Sequence, residues 1–283
     1  METVIKLDKV SKEYNGINIL NNINIDIKKG STVGIVGGNG SGKSVLFKLI
    51  CGFISPDSGE VYIRNEKLGD KVDFPENVGV FINEPGYISM YSGIDNLKFL
   101  AEINNKIDND KIIKTMERVG LNPNNKVKVE NYSLGMKQKL GIAQAIMEDQ
   151  DILILDEPFN ALDYKTYQDI KEIIKELQAE GRTILLTSHN FEDIEQICHN
   201  IYVIDNGNLK IIDEESKTGY FKASTSSSGF RNGNMKMYND IIFGLYSPKE
   251  LVEWDQEINH GSDGSSEEHY LCLDSEVAKE LYG

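Results

Sequence analysis

The chain has 283 residues, 40% of them hydrophobic and 27% charged, with a net charge of −15 and a pI near 4.8. This length suits one large domain with an appendage, and the composition is that of a globular protein. The acidic balance excludes sequence-independent nucleic-acid binding, which needs a basic surface to release phosphate counterions. No apolar run approaches the roughly 18 residues needed to cross a bilayer, and the opening segment from Met1 to Leu7 lacks the basic start and long apolar run of a secretory leader. Three scattered cysteines, Cys51, Cys198 and Cys272, suit a reducing compartment. A cytoplasmic location is expected.

Along the chain, two alternating runs, Val4 to Leu7 and Ile23 to Ile27, flank an Asn15-Gly16 turn signal and read as antiparallel strands. From Thr32 onward, strand-like segments alternate with helical ones: Val33 to Val36, Val78 to Ile82, Ile152 to Leu155, Thr183 to Thr187 and Ile201 to Ile204. That alternation predicts an α/β core with a mainly parallel sheet. Residues 88–148 turn helical, with Ile112, Ile113, Met116 and Val119 on one face and Gly120 as a stop, which predicts an inserted helical subdomain. A helix after Asp163 places Ile170, Ile173, Ile174 and Leu177 on one stripe and ends near Gly181.

Beyond residue 212 the texture changes. Ala223 to Gly229 and His260 to Ser266 read as linkers. Between and beyond them, a capping box at Ser247 to Glu250 opens a helix bearing Leu251, Trp254 and Ile258, a strand is expected at His269 to Leu273, and a short helix follows Asp274. The expected division is therefore residues 1–212 as the main domain and 213–283 as a small α/β appendage.

The chemistry begins at Gly37-Gly38-Asn39-Gly40-Ser41-Gly42-Lys43-Ser44, followed by Val45, which matches the phosphate-binding pattern G-x-x-x-x-G-K-[ST] between a strand and a helix. Glycines let successive backbone N–H groups approach phosphate oxygens, and the helix N-terminus adds partial positive charge. Lys43 is expected at the β- and γ-phosphates and Ser44 at Mg²⁺. Downstream, the apolar strand from Asp151 ends on Asp156 and Glu157, adjacent carboxylates that need a cation nearby. Asp156 is expected in the metal's shell, and Glu157 is placed to orient or deprotonate an attacking water.

Tyr132-Ser133-Leu134-Gly135-Met136-Lys137-Gln138, a short interval before that strand, resembles the signature segment of the ABC ATPase family. The resemblance covers residues 3–212 and implies a P-loop NTPase of ABC type: a mainly parallel sheet with an N-terminal antiparallel β subdomain and an inserted helical subdomain. It implies ATP and Mg²⁺ as ligands and a homodimer or paralogous heterodimer sandwiching ATP, in which Ser133 and Gly135 of one subunit meet the γ-phosphate held by the other. Ala161-Leu162-Asp163 resembles the loop linking the two sites, although Asp163 reads equally as a helix N-cap. His189 resembles the family's γ-phosphate-sensing histidine, and Tyr14 its adenine-stacking aromatic, with packing on the sheet as the alternative for Tyr14.

Two positions depart from the family pattern. Asn83, followed by Glu84, stands where glutamine is usual; either residue could face Mg²⁺ or the attacking water. Leu134 replaces a common glycine. Both departures resemble the bacitracin-type antibiotic-resistance and bacteriocin-immunity exporters. The resemblance implies a separate transmembrane permease, with this chain peripheral on the inner face of the cell membrane. Tyr87, Ile88, Met90 and Tyr91, read as exposed on a loop, are a candidate docking surface for it, with a hydrophobic cluster inside the helical subdomain as an equal reading. A soluble ABC mechanoenzyme working on nucleic acid or ribosomes fits poorly with one phosphate loop, no long heptad run and an acidic surface. A P-loop kinase would leave the signature segment and His189 without purpose.

Overall fold

The computed structural model describes residues 2–70, 72–82, 86–188 and 194–212, together with the backbone of three strands further on. The chain divides into two compact units, Met1–Ile211 and Ile212–Gly283.

Three layers of secondary structure build the first unit. At its start, β1 (Thr3–Tyr14) and β2 (Ile17–Lys28) form an antiparallel hairpin. Asn15 and Gly16 turn it with φ of 51° and 79°, the left-handed pair that a two-residue hairpin requires. On β2 the residues Ile23, Ile25 and Ile27 are buried while those between them are exposed, the period of two that keeps one face in the core. Both strands run much further than their alternating runs suggested, because bulges near Leu7, Val10 and Lys12 break the alternation without ending the pairing. The sheet is completed by β4 (Ser58–Ile63) and β5 (Glu66–Lys67), in the order β2-β1-β4-β5.

The second sheet has the order β10-β9-β3-β8-β7-β6, where β3 is Thr32–Val36, β6 Val78–Phe81, β7 Ile152–Leu155, β8 Thr183–Ser188, β9 Asn200–Asp205 and β10 Asn208–Ile212. Five of these strands, from β9 to β6, pair in parallel. The central strands β3, β7 and β8 are buried along their whole length, as expected for strands covered on both faces. Because the strands are parallel, the segments leaving β3, β7 and β8 emerge at the same edge, with β8 between the other two. At this edge, where open α/β sheets bind ligands, the phosphate loop and the carboxylate pair come together.

Helix α1 (Lys43–Ile50) follows β3 and buries Leu46, Phe47, Leu49 and Ile50. The helical subdomain consists of α2 (Gly93–Asn104), α3 (Asn109–Arg118) and α4 (Leu134–Ile146). As expected, α3 turns Ile112 and Met116 inward, and Gly120 stops it at φ 73°. Helix α5 (Tyr164–Ala179) buries Ile170, Ile173, Ile174 and Leu177 and ends before Gly181 at φ 77°. Tyr87 departs from the exposed-loop expectation: it is half-buried, and its hydroxyl donates to the Lys137 carbonyl at 2.6 Å, while Ile88, Met90 and Tyr91 are exposed.

In the second unit, β11 (Tyr220–Ser224), β12 (Lys236–Tyr238) and β13 (Ile241–Leu245) form an antiparallel sheet in the order β11-β13-β12. Ala223 and Ser224, read from sequence as linker, are strand residues paired with Ile242 and Ile241. The helices and strand expected after residue 246 lie outside the described residues, as does the second linker.

The tightest joint between the sheet and the helical subdomain is at Gly79 of β6. A methyl group there would lie 1.8 Å from the Ala145 carbonyl oxygen of α4, so helix and strand approach backbone to backbone. Gly79→Ala is expected to destabilise the protein by about 1–3 kcal/mol through overpacking, seen as a lower urea midpoint at an unchanged slope. An unchanged midpoint would mean that this contact does not bear on the fold.

Candidate nucleotide site

Four of the five α-helices described begin with a side-chain cap: Ser92 accepts from the Asp95 amide, Asp108 from Lys111, Ser133 from Met136 and Asp163 from Thr166. Helix α1 begins instead at Gly42, with φ 107° and no side-chain cap. Its first-turn N–H groups lack both a cap and intrahelical acceptors, so they present donors and partial positive charge to an anion. Gly42 packs against β2, where a methyl group would meet the Ile19 carbonyl oxygen at 3.1 Å. Gly40 has φ 75° with open space around it. The Ser41 hydroxyl oxygen is buried and has no hydrogen-bond partner, an unmet polar group that a phosphate oxygen would satisfy.

Lys43 opens α1 and is only 6% exposed. Its ammonium donates to the carbonyl oxygens of Gly37 at 2.7 Å and Gly38 at 3.3 Å and lies 3.5 Å from a carboxylate oxygen of Glu157. A buried ammonium needs such partners to offset lost hydration. The neighbouring Ser44 hydroxyl donates to Asp156 Oδ2 at 2.7 Å. On the other side, Thr187 Oγ1 donates to Asp156 Oδ1 at 2.7 Å and accepts from the Glu157 amide at 2.8 Å. Asp156, 5% exposed, is thus held through both carboxylate oxygens, and its own amide donates to the Phe81 carbonyl of β6 at 2.7 Å.

Glu157 is a non-glycine residue at φ 53°, in the left-handed region that side chains seldom adopt. Such conformations cost about 1–3 kcal/mol and persist where surrounding contacts enforce them, commonly at functional sites. Here the Glu157 amide is fixed by Thr187, and the reversal of the chain after β7 brings the carboxylate to Lys43. Ala161, at φ 55°, makes a second such reversal before Asp163.

The two oxygens meeting at Ser44 and Asp156 form a hard donor set that fits Mg²⁺, a cation that takes oxygen ligands and completes its shell from phosphate and water. The expected residues Gly37 to Val45, Asp156 and Glu157 are therefore gathered at one edge of the sheet.

The signature segment is a separate feature. Ser133 caps α4, and a methyl group on Gly135 would meet the Thr166 side chain at 2.7 Å, so the start of α4 lies against the start of α5. Asp163 caps α5 with one oxygen on the Thr166 amide at 3.0 Å and the other on its hydroxyl at 2.7 Å; these donors hold its carboxyl below the usual range. The helix-cap reading of Asp163 is thereby met, and a role in linking two sites remains compatible with it. Tyr14 is 43% exposed at the hairpin tip rather than packed into the sheet. Cys51 is buried, which pushes its thiol up to about 12, and it behaves as a small core side chain; Cys198 is half-buried, and desolvation raises its thiol as well. Asn83, Glu84 and His189 lie outside the described residues.

Thr187 is a site residue that sequence reading missed. Its signal was a hydroxyl at the end of an otherwise aliphatic strand, Ile184 to Leu186, immediately before Ser188 and His189.

A glycine loop and an uncapped helix after a central parallel strand, with a lysine and two carboxylates converging on them, define a nucleoside-triphosphate hydrolase of the phosphate-loop class. A model of the ABC transporter family matches residues 20–160. Over 207 residues, 73% of this chain and 95% of the relative, the sequence is 38% identical to the uncharacterized ABC transporter ATP-binding protein YybJ of Bacillus subtilis (strain 168). Over 260 residues, 91% and 84% of the two chains, it is 36% identical to the bacitracin transport ATP-binding protein BcrA of Enterococcus faecalis. A solved dimeric structure of a bacterial ABC transporter cassette matches with a TM-score of 0.66 at 25% identity, covering 74% of this chain and 99% of that one. The chain belongs to the ATP-binding proteins of ABC transporters, a family of ATPases.

Thr187→Val removes one donor to Asp156 and the acceptor for the Glu157 amide. It is expected to destabilise the protein by about 1–3 kcal/mol and to lower ATP turnover, whereas Thr187→Ser keeps both. Chemical denaturation alongside phosphate release checks this; equal behaviour of the two variants would show that the hydroxyl is dispensable.

Proposed function

We propose that this chain is the ATP-hydrolysing motor of an exporter, lying on the cytoplasmic face of the membrane and driving a separate transmembrane permease through ATP-dependent closure of a dimer. The observation that carries this reading is the meeting of Lys43, Ser44, Asp156 and Glu157 at the uncapped start of α1. Similarity to a protein named for bacitracin transport supports the role in transport, and similarity to a cassette solved as a dimer supports the assembly.

In this mechanism the amides of Gly38 to Val45 and the Lys43 ammonium bind the phosphates of ATP, with Lys43 exchanging its loop carbonyls for phosphate oxygens. Ser44 and Asp156, with Asn83 or Glu84 as a further ligand, would hold Mg²⁺, which would supply positive charge where negative charge builds on the phosphates. Glu157 orients the attacking water and accepts its proton, and His189 monitors the γ-phosphate. Tyr14 stacks on adenine. Ser133, Gly135 and the start of α4 from a second subunit close over the γ-phosphate, and Asp163 links the two sites.

Binding of two ATP molecules closes the dimer, and hydrolysis reopens it, the two-state motion that the permease uses. No helix among the described residues is long and apolar enough to cross a membrane. The proposed docking surface for the permease is the exposed apolar group Ile88, Met90 and Tyr91, continued on α2 by Phe99 and Ile103. Tyr91 and Phe99 are in edge-to-face contact at 5.0 Å, which makes this a packed patch rather than isolated side chains.

Glu157→Gln keeps the shape of the site and removes the base. It is expected to lower turnover at least about 100-fold and to form a dimer, measured by light scattering, only when ATP and Mg²⁺ are present. A variant that binds ATP yet stays monomeric would count against the sandwich.

A further inference from the structure

The tip of the β1–β2 hairpin holds an arrangement outside the phosphate machinery. Lys12 and Tyr14, two residues apart on β1, lie on one face of the strand, and the Lys12 ammonium sits over the Tyr14 ring, 5.4 Å from its centroid. Lys12 is not free to wander: its side chain is 14% exposed and its ammonium donates to Asp57 Oδ1 at 2.8 Å. Asp57 is anchored in turn, since its other carboxylate oxygen accepts from the Glu13 amide at 2.7 Å and its own amide donates to the Ser11 carbonyl at 3.0 Å. The three residues form a chain from the β1 backbone through Asp57 and Lys12 to one face of the ring.

The ring is nonetheless 43% exposed, and Ile17, its partner across the hairpin, is 64% exposed. The same strand brings this tip toward the phosphate loop. Ile19 and Leu20, two and three residues along β2 from Ile17, are the residues against which Gly42 packs, which puts the tip about 7 Å or more further out along the strand. That distance suits the base of a nucleotide whose phosphates lie at α1.

We propose that Lys12, fixed by Asp57, is a positioning residue for nucleotide binding: it holds one face of the Tyr14 ring so that the opposite face is presented, pre-ordered, to the adenine base. This rests on the nucleotide reading above. A ring held before binding loses less freedom on stacking, and a cation on one face draws electron density from the other, reducing repulsion with the π-face of a purine.

The test uses the full chain, with ATP and inorganic tripolyphosphate as probes, the latter carrying phosphates but no base. Lys12→Met is expected to raise Kd and KM for ATP roughly two- to fivefold, as fits loss of one cation–π contact, with kcat kept. Lys12→Arg should restore wild-type affinity, and Lys12→Met should leave tripolyphosphate affinity unchanged. Tyr14→Ala, run in parallel, is expected to weaken ATP roughly tenfold. The proposal is overturned if Lys12→Met weakens tripolyphosphate as much as ATP, or if it leaves ATP affinity unchanged while Tyr14→Ala weakens it. If Tyr14→Ala itself leaves ATP affinity unchanged, base stacking fails first, and the role of Lys12 fails with it.

Discussion

Everything in the site depends on the carboxylate of Asp156 being held between two hydroxyls. One belongs to Ser44 on the first turn of α1, the other to Thr187 at the end of β8, each at 2.7 Å. A carboxylate so buried must have its oxygens hydrogen-bonded or it would destabilise the fold. Meeting that demand ties three chain segments, far apart in sequence, into one unit at the edge of the sheet. Thr187 then extends the unit to Glu157 by accepting from its amide, and Glu157 closes the circuit on Lys43. The phosphate loop and the hydrolytic carboxylate thus share one hydrogen-bonded frame.

The frame explains why local rules are broken where they are. Helix α1 lacks the cap that α2, α3, α4 and α5 all possess, Glu157 sits in a left-handed conformation, and Ser41 buries an unpaired hydroxyl. Each feature lowers the stability of the isolated chain, and each is what a phosphate-binding, water-orienting site requires. The surrounding core allows it: β3, β7 and β8 are buried throughout, and the aliphatic side chains beneath the site contribute about 1.5–3 kcal/mol apiece when fully buried.

Much of this was legible in sequence because its determinants are local. The glycine pattern before Lys43, the aliphatic run ending on Asp156 and Glu157, and the stripe Ile170, Ile173, Ile174 and Leu177 are each contained within one element. Asn15-Gly16 announced its turn for the same reason. Relationships across the chain could not be read that way. Thr187 lies 31 residues from Asp156, and Lys12 lies 45 from Asp57, and nothing local marks either pairing. Tyr87 read as exposed because its anchor, the Lys137 carbonyl, is 50 residues away. The lengths of β1 and β2 were underestimated because bulges disturb alternation while pairing continues.

The central claim, that the phosphate loop and the carboxylate strand form one unit through Asp156, is most directly tested by a double-mutant cycle of Ser44→Ala and Thr187→Val on the unfolding free energy of the nucleotide-free protein. If both hydroxyls serve the same carboxylate, the two losses are non-additive, with a coupling of about 0.5–3 kcal/mol. Losses that add to within about 0.3–0.5 kcal/mol would mean that the two segments do not act together, and the account of the site would be contradicted.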